Sequence, residues 1–412
     1  MSGPTGQPSP GQPSIGELTV EDARARMLAC VPAARGETAA LEAFSVGRVL
    51  AEPITAVRDQ PPFDASAMDG WAVPPGGAPG MFRIVGESAA GHPFEGRVEP
   101  GETVRIFTGA RVPPGCRVVV QEASERVETG VRLAFDPDGP GHVRRRGGDF
   151  AEGDVLLSSG VRLDPWRLAL AASAGRAQAK VAARPRVAVL STGDEVVRAG
   201  DHVSDGQIFD AGGPALSALI AAWGGLSLPL ELARDAADSI VSAVTGSDCD
   251  LVVTIGGASV GDHDLVKPAL KALGLVLHVE TVRIRPGKPT WFGVLGDGRL
   301  VLGLPGNPAS ALVCAELFLR PLLARWLGAD SALPMAVARL TTASGKNGPR
   351  EHWMRGALST SSDGALLATP FADQESSLVA VYAAADCLIR RPPGAPEAKV
   401  GDPVEILRLG RL

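Results

Sequence analysis

The chain has 412 residues, 45% of them hydrophobic, with 50 Gly, 34 Pro, a single Tyr and a formal net charge of −6. That length predicts roughly two to four domains, and the acidic balance argues against nucleic acid or an anionic membrane surface as partner. No apolar run approaches the ~20 residues of a membrane span, and the five cysteines are scattered without a Cys-x-x-Cys pair, which predicts a reduced, cytoplasmic protein with no cysteine metal site.

Residues 1–14 are rich in Gly, Pro, Ser and Gln and lack the basic start and apolar core of a signal peptide, so a disordered tail is expected there. A helix is predicted from Leu18, with Thr19 as N-cap and Glu21 and Asp22 in its first turn. A second helical piece is predicted over Leu41–Leu50. Residues 59–148 change character, with short strands such as Phe82-Arg-Ile-Val, Thr103-Val-Arg-Ile-Phe and Arg117-Val-Val-Val between Gly- and Pro-rich turns. This β module interrupts a helical domain made of 15–58 and 149–183, where Asp164-Pro165 is a cap followed by Pro at the first helical position.

Residues 184–327 alternate strand and helix and predict a doubly wound, mostly parallel α/β domain. Arg186–Leu190, Leu251–Ile255 and Leu300–Leu304 are its apolar strands, as expected for strands buried on both faces. The stretch 328–412 alternates again and predicts a C-terminal β barrel or sandwich.

Three of the α/β strands end in polar turns: Ser191-Thr-Gly-Asp-Glu195, Gly256 to Asp264, and Pro305-Gly-Asn-Pro308. In a parallel sheet such turns share one edge, where ligands bind. They supply hydroxyls, glycine N–H groups suited to an anion, and the acids Asp262 and Asp264, which suggest a hard cation such as Mg²⁺. A P-loop and a Gly-x-Gly-x-x-Gly fingerprint are both missing. Gly257-Ala-Ser-Val-Gly261 fits a hydrolase elbow, but acids rather than a helix follow it, and His278 is the only clear triad histidine. Positive charge comes from Arg285 and Lys288 in a loop stiffened by Pro286 and Pro289.

Taken together the motifs resemble the molybdopterin molybdenumtransferase family, the MoeA proteins and the E domain of gephyrin. The resemblance rests, in order, on Pro62-Phe-Asp-Ala-Ser-Ala-Met-Asp-Gly70, Arg105-Ile-Phe-Thr-Gly-Ala110, Arg144-Arg-Arg-Gly-Gly-Asp149, Ser191 to Glu195, Asp205-Gly-Gln-Ile-Phe-Asp210, Gly256 to Asp264, Arg285-Pro-Gly-Lys-Pro289 and Gly303-Leu-Pro-Gly-Asn-Pro308. It implies an elongated protomer of four parts and a homodimer, with the active site between the α/β domain of one subunit and the β module of the other. It also implies a reaction in which adenylylated molybdopterin and molybdate are consumed, molybdenum enters the dithiolene, AMP is released and Mg²⁺ assists. The molybdopterin adenylyltransferase and the molybdoenzyme apoproteins are further implied partners.

Carried over by motif, Asp69, Glu195, Asp235 and Asp264 hold metal or molybdate or position water, and Thr108 and Asp149 match further site positions. Ser191, Thr192, Gly193, Gly256, Gly257, Ser259, Gly261, Arg285, Lys288, Pro305, Gly306, Asn307, Pro308, Arg350 and Ser376 are the implied substrate-binding set. The chain departs from the family pattern in four places. Arg285 stands where Lys is usual, Ala211-Gly-Gly213 replaces an Asn-containing turn, Ala258 replaces Val, and Glu375 stands where Gly is usual. The alternatives are the sibling activity, adenylylation of molybdopterin, and a scaffold without enzymatic activity. Retention of all four acids speaks against a scaffold.

Overall fold

Continuous apolar strands form the central sheet. In this computed structural model, which describes residues 17–233, 236–257 and 265–410, six strands lie in the order Leu226–Pro229, Arg186–Ser191, Leu251–Ile255, Leu300–Leu304, Trp291–Val294, Val276–Val279. The first four are parallel, Trp291–Val294 runs opposite to them, and Val276–Val279 pairs antiparallel with it and so runs with the first four. Every residue of Leu251–Ile255 and Leu300–Leu304 is buried. Alternate residues feed two separate cores, as the pleat requires. Val187, Val189, Val253 and Leu302 pack with Leu216, Ile220 and Leu312 on one face. Ala188, Leu190, Val252 and Val301 pack with Ile240, Val244, Val266 and Leu270 on the other. The helix Val20–Ala29, capped by Thr19 through Asp22 N–H at 3.0 Å, sends Ala23 and Met27 into the first core. Gly303 is required within its strand, because a Cβ there would sit 2.0 Å from the Trp291 indole.

The barrel expected at the C-terminus is closed. Its five strands run Glu351–Thr360, Leu366–Pro370, Met335–Leu340, Pro403–Arg408, Cys387–Arg391 and back to Glu351–Thr360. Met354, Ile389 and Ile406 fill its interior, while Trp353, Leu388 and Leu407 on the outward faces join the α/β core. One short strand of the α/β domain, Ile284–Arg285, pairs in parallel with Glu351–His352. Barrel and α/β domain belong to one compact unit, made of the described residues within 17–37, 47–51 and 181–410; residues 38–46 and 52–180 form a second.

In the second unit a mixed six-stranded sheet runs Arg117–Val120, Gly70–Val73, Glu102–Ile106, Gly80–Ser88, Gly130–Leu133, Ser124–Val127. Here too alternation divides the core, with Ala72, Val104 and Val118 on one face and Trp71, Val73 and Val131 on the other. The helix Pro165–Ser173 is capped by Asp164, which accepts from Arg167 N–H at 2.8 Å. The helix expected over Leu41–Leu50 does not form. Only the 3₁₀ turn Ala43–Ser45 is helical, because the Ser45 hydroxyl takes local backbone partners at Ala40 and Glu42 and Gly47 adopts φ 86°. Among the described residues no helix is long and apolar enough to cross a membrane.

Candidate functional site

The three strand ends of the α/β domain meet, as the parallel topology demands. Ser191 pairs with Ile255 and Ile255 with Leu304. Just beyond, Thr192 N–H donates to Ile255 O at 3.0 Å and Gly256 N–H to Leu304 O at 3.3 Å. Gly256 has φ 91°, and a Cβ on it would meet Thr192 O at 2.9 Å. The turn is therefore restricted to glycine by both torsion and space. Gly306 approaches the Gly256 backbone so closely that its Cβ would lie 3.5 Å from Gly256 Cα. Gly257, with φ 59°, is the last residue described before the acidic turn.

Asp210 organises the first of these turns, a role that sequence reasoning missed. It accepts the Ser191 hydroxyl at 2.9 Å through one oxygen and the Gly213 N–H at 2.9 Å through the other. The helix Gly212–Ala222 is thereby tied to the strand end. A Cβ at Gly213 would lie 2.4 Å from Asp210 Oδ2, and one at Gly212 2.9 Å from Ile255 Cδ1, so either would have to move a side-chain end. Thr192 is buried, Gly193 has φ 138°, and the exposed Glu195 folds its carboxylate back over Gly193.

Over the third turn comes a loop from the barrel. Asn307 caps the helix Pro308–Cys314 without using its own side chain for the cap. Its Nδ2 instead donates to Ser376 Oγ at 2.8 Å. Pro305 is buried, whereas Gly306 and Asn307 are exposed and Pro308 is half-buried. Glu375 does not disturb this contact. Its carboxylate takes the Ser377 hydroxyl and N–H and then Ser376, which hold its pKa down at about 2.

The loop is fixed by Arg355, a second residue missed from the sequence. Arg355 is fully buried; its N–H and Nε donate to Gln374 Oε1 at 2.8 and 3.1 Å, and Nη1 donates to Glu375 O at 2.9 Å. Arg350, the expected site residue nearby, is exposed, and its described contact is through its carbonyl, which accepts from Asn347 Nδ2 at 3.0 Å.

The basic loop reaches the same edge by register. Trp291 pairs with Gly303, so residues 286–290 run past the end of strand Leu300–Leu304. Gly287 presses on the following helix, with room for no Cβ beside Cys314 Sγ. Lys288 is exposed, and its Nζ lies 3.5 Å from Glu17 Oε1. Such a half-exposed pair contributes little and yields readily to another anion.

In the other unit, Asp69 and Thr108 come together as their motifs suggested. Asp69 Oδ1 accepts the Thr108 N–H and hydroxyl, each at 2.7 Å. These bonds, backbone first, hold the carboxyl below its ordinary range, and the nearby Arg105 charge adds to them. Arg105 is itself fixed by Gly70 O and Gln121 Oε1, at 3.0 and 2.9 Å, and by the rings of Trp71 and Phe107. Asp149 is exposed, and its N–H donates to Gln60 O at 2.9 Å. The arginine run beside it is structural in part: Arg145 pairs with Asp64 at 2.7 Å and Arg146 with Asp59. Asp235, Ser259, Gly261 and Asp264, with Asp262, lie outside the described residues.

Hydroxyls, glycine N–H groups and a lysine thus share one edge of the α/β sheet, while an ionised carboxylate oriented by a threonine stands in the β module. Comparison with known proteins gives these features a context. Residues 18–175 match the family described as MoeA N-terminal region (domain I and II), 188–325 the probable molybdopterin binding domain, and 337–409 the MoeA C-terminal region (domain IV). A Staphylococcus aureus (strain MSSA476) protein named molybdopterin molybdenumtransferase is 33% identical over 383 residues, 90% of each chain. One of the same name from Nostoc sp. is 35% identical over 289 residues, 67% of this chain and 66% of its own. The crystal structure of a molybdopterin biosynthesis moea protein from Pyrococcus horikosii matches with TM-score 0.79 at 31% identity, covering 95% of this chain and 99% of that one.

Proposed function

Because the chain belongs to the molybdopterin molybdenumtransferase family, transferases of molybdenum cofactor biosynthesis, we propose that it inserts molybdenum from molybdate into adenylylated molybdopterin and releases AMP. The observation that carries this reading is the convergence of Ser191, Gly256 and Asn307 with the Lys288 loop on one sheet edge. A phosphoanhydride substrate and a dianionic co-substrate need charge offset and oriented donors, and that edge supplies both. Asp69, kept ionised by Thr108, serves to position water or a cation.

Magnesium is held through one or two carboxylates together with waters and substrate phosphates. Asp69 suits such a role in that its Oδ1 is taken by Thr108 while its Oδ2 has no hydrogen bond among the described residues. Asp69 and Glu195, with Asp235 and Asp264, are the residues that would hold the ion, which would offset charge on the leaving AMP.

The proposal includes a cytoplasmic homodimer, each α/β edge being completed by Asp69 and Thr108 of the second subunit. It is supported by the helix Pro165–Ser173, which buries only Ala171 and leaves Trp166 83% exposed, and by Phe44 at 89%. A helix so apolar and so uncovered calls for a partner.

With adenylylated molybdopterin and Mg²⁺, the protein is expected to release AMP when molybdate is added, and Asp69→Ala to slow this roughly 10²-fold or more. Undiminished release in both Asp69→Ala and Asp264→Ala removes the site assignment. Adenylylation of molybdopterin from ATP without molybdate identifies the sibling activity instead. Mixing the two inactive variants is expected to restore about a quarter of wild-type activity through hybrid dimers; no restoration overturns the shared site.

A further inference from the structure

Behind the third turn runs one long helix with an irregular middle. Pro308–Cys314 and Arg320–Trp326 are α-helical, and the π turn Ala315–Leu319 joins them. Pro321 accounts for the widening, because it has no N–H for the Leu317 carbonyl and its ring crowds that group. Glu316 lies within the turn and is 3% exposed. Its Oε2 accepts from Arg320 Nη1 at 3.0 Å, and its Oε1 takes no hydrogen bond among the described residues. Burial outweighs the Arg320 charge and raises the Glu316 pKa.

The barrel loop that carries Ser376 continues into the short helix Val379–Ala384, which packs against both Pro308–Cys314 and strand Glu351–Thr360. Loop and short helix form a strap that meets the long helix twice. Ser376 meets its N-terminal end, at Asn307. Tyr382, the chain's single tyrosine, packs on the core that contains Cys314, Leu317 and Leu388. Its hydroxyl is buried and has no partner among the described residues. Burial, then the charges of Glu316 and Cys314, push the phenol pKa well above its ordinary value, while the Arg355 charge opposes them. Of the groups acting on this hydroxyl, Glu316 is the one with an unspent carboxylate oxygen. We propose that Glu316 and Tyr382 are positioning residues for Ser376: the Tyr382 hydroxyl donates to the free Glu316 oxygen when the strap is seated, and this second anchor holds Ser376 over the third turn.

A buried hydroxyl without a partner is costly, and a carboxylate is the acceptor that offsets this best. Glu316 follows Asn307 by nine residues, about 13 Å along a helix. One anchor therefore ties the start of the strap and the other its end, and the loop between them cannot swing away from the turn. Both side chains act through Ser376 and not on substrate. The use made of Ser376 rests on the transfer reading above; the bond between Glu316 and Tyr382 does not.

The test is amide hydrogen exchange of the full-length protein, read by mass spectrometry over residues 374–381, with AMP release measured beside it. Tyr382→Phe deletes one oxygen. It is expected to speed exchange of the strap about 5-fold while the melting temperature stays within about 1 °C. Unchanged exchange means that the hydroxyl has no partner and overturns the proposal. Glu316→Gln keeps the shape and removes the charge, and is expected to act alike. The double variant should exchange no faster than the worse single, because both remove the same bond; additive effects overturn the pairing. Should Glu316→Gln fail to fold, with Arg320 left unpaired, Tyr382→Phe decides alone. In AMP release both variants should raise KM about 5-fold with kcat within about 2-fold, and a fall in kcat at unchanged KM overturns the positioning role. Wild-type protein that releases no AMP removes the transfer reading instead, and exchange of the strap still decides the pair.

Discussion

The α/β edge is held by backbone, whereas the Asp69 turn is held by side chains. At the edge, Gly256, Gly306 and Gly213 let turns approach within van der Waals contact, and the Thr192 and Gly256 N–H groups are bonded to carbonyls of the sheet beneath. In the β module, one carboxylate oxygen collects two bonds from Thr108 while Arg105 braces the strand behind it. The first arrangement is least tolerant of an added atom at Gly256, where a Cβ would meet backbone. The second tolerates substitution structurally but changes its charge behaviour when one partner goes. Stability measurements should therefore report on one region and pH profiles on the other.

Gly256→Val tests the backbone side hardest. It places a β-branched residue at φ 91° against Thr192 O and is expected to cost about 3 kcal/mol in urea unfolding. A loss below about 0.5 kcal/mol would show that the turn relaxes freely.

Thr108→Val tests the side-chain side. Unfolding stability should hardly change, while turnover falls about 10-fold. Asp69 should move back up toward its ordinary range, because its folded-state pKa is depressed by Thr108. The contribution of that depression is present above the unfolded pKa near 3.8 and is lost as pH falls through the depressed value. The acid limb of the rate profile should consequently shift upward in the variant; an unmoved limb would separate Thr108 from the titration.

Asn307→Ala removes the bond that carries the barrel loop over the third turn. It is expected to cost about 1 kcal/mol and to raise KM more than it lowers kcat. The smallest effect belongs to Glu375→Gly, which restores the family's usual residue. Ser376 keeps its bond to Asn307 there, so KM should stay within about 2-fold, and a larger rise would make Glu375 a substrate contact.

Much of this was legible because the α/β strands are buried on both faces. Leu251–Ile255 and Leu300–Leu304 carry, Thr254 apart, no polar side chain and needed no pairing information. The common edge of their turns followed from parallel topology alone. What escaped reading was set by tertiary contact. Arg355 looks like one more charged residue on a strand, and only the fold shows it buried under the loop that carries Ser376. Asp210 was quoted as part of a motif, yet its role depends on Ser191, nineteen residues away. The Leu41–Leu50 segment misled because its apolar spacing is helical, while Ser45 and Gly47 favour a local turn.

The two residues Ile284–Arg285 pair with Glu351–His352 of the barrel while their chain belongs to the α/β domain. This splice makes the barrel a wall of the basic loop rather than an appendage. Trimming the chain back to a minimal α/β domain would leave the Lys288 loop with one side unsupported, so a free-standing version would need a redesigned loop, not merely a new C-terminus. Insertions elsewhere on the barrel, far from the Glu351–His352 segment, should by the same token be accommodated. The barrel is in effect a place where new surface can be added without retuning the anion edge.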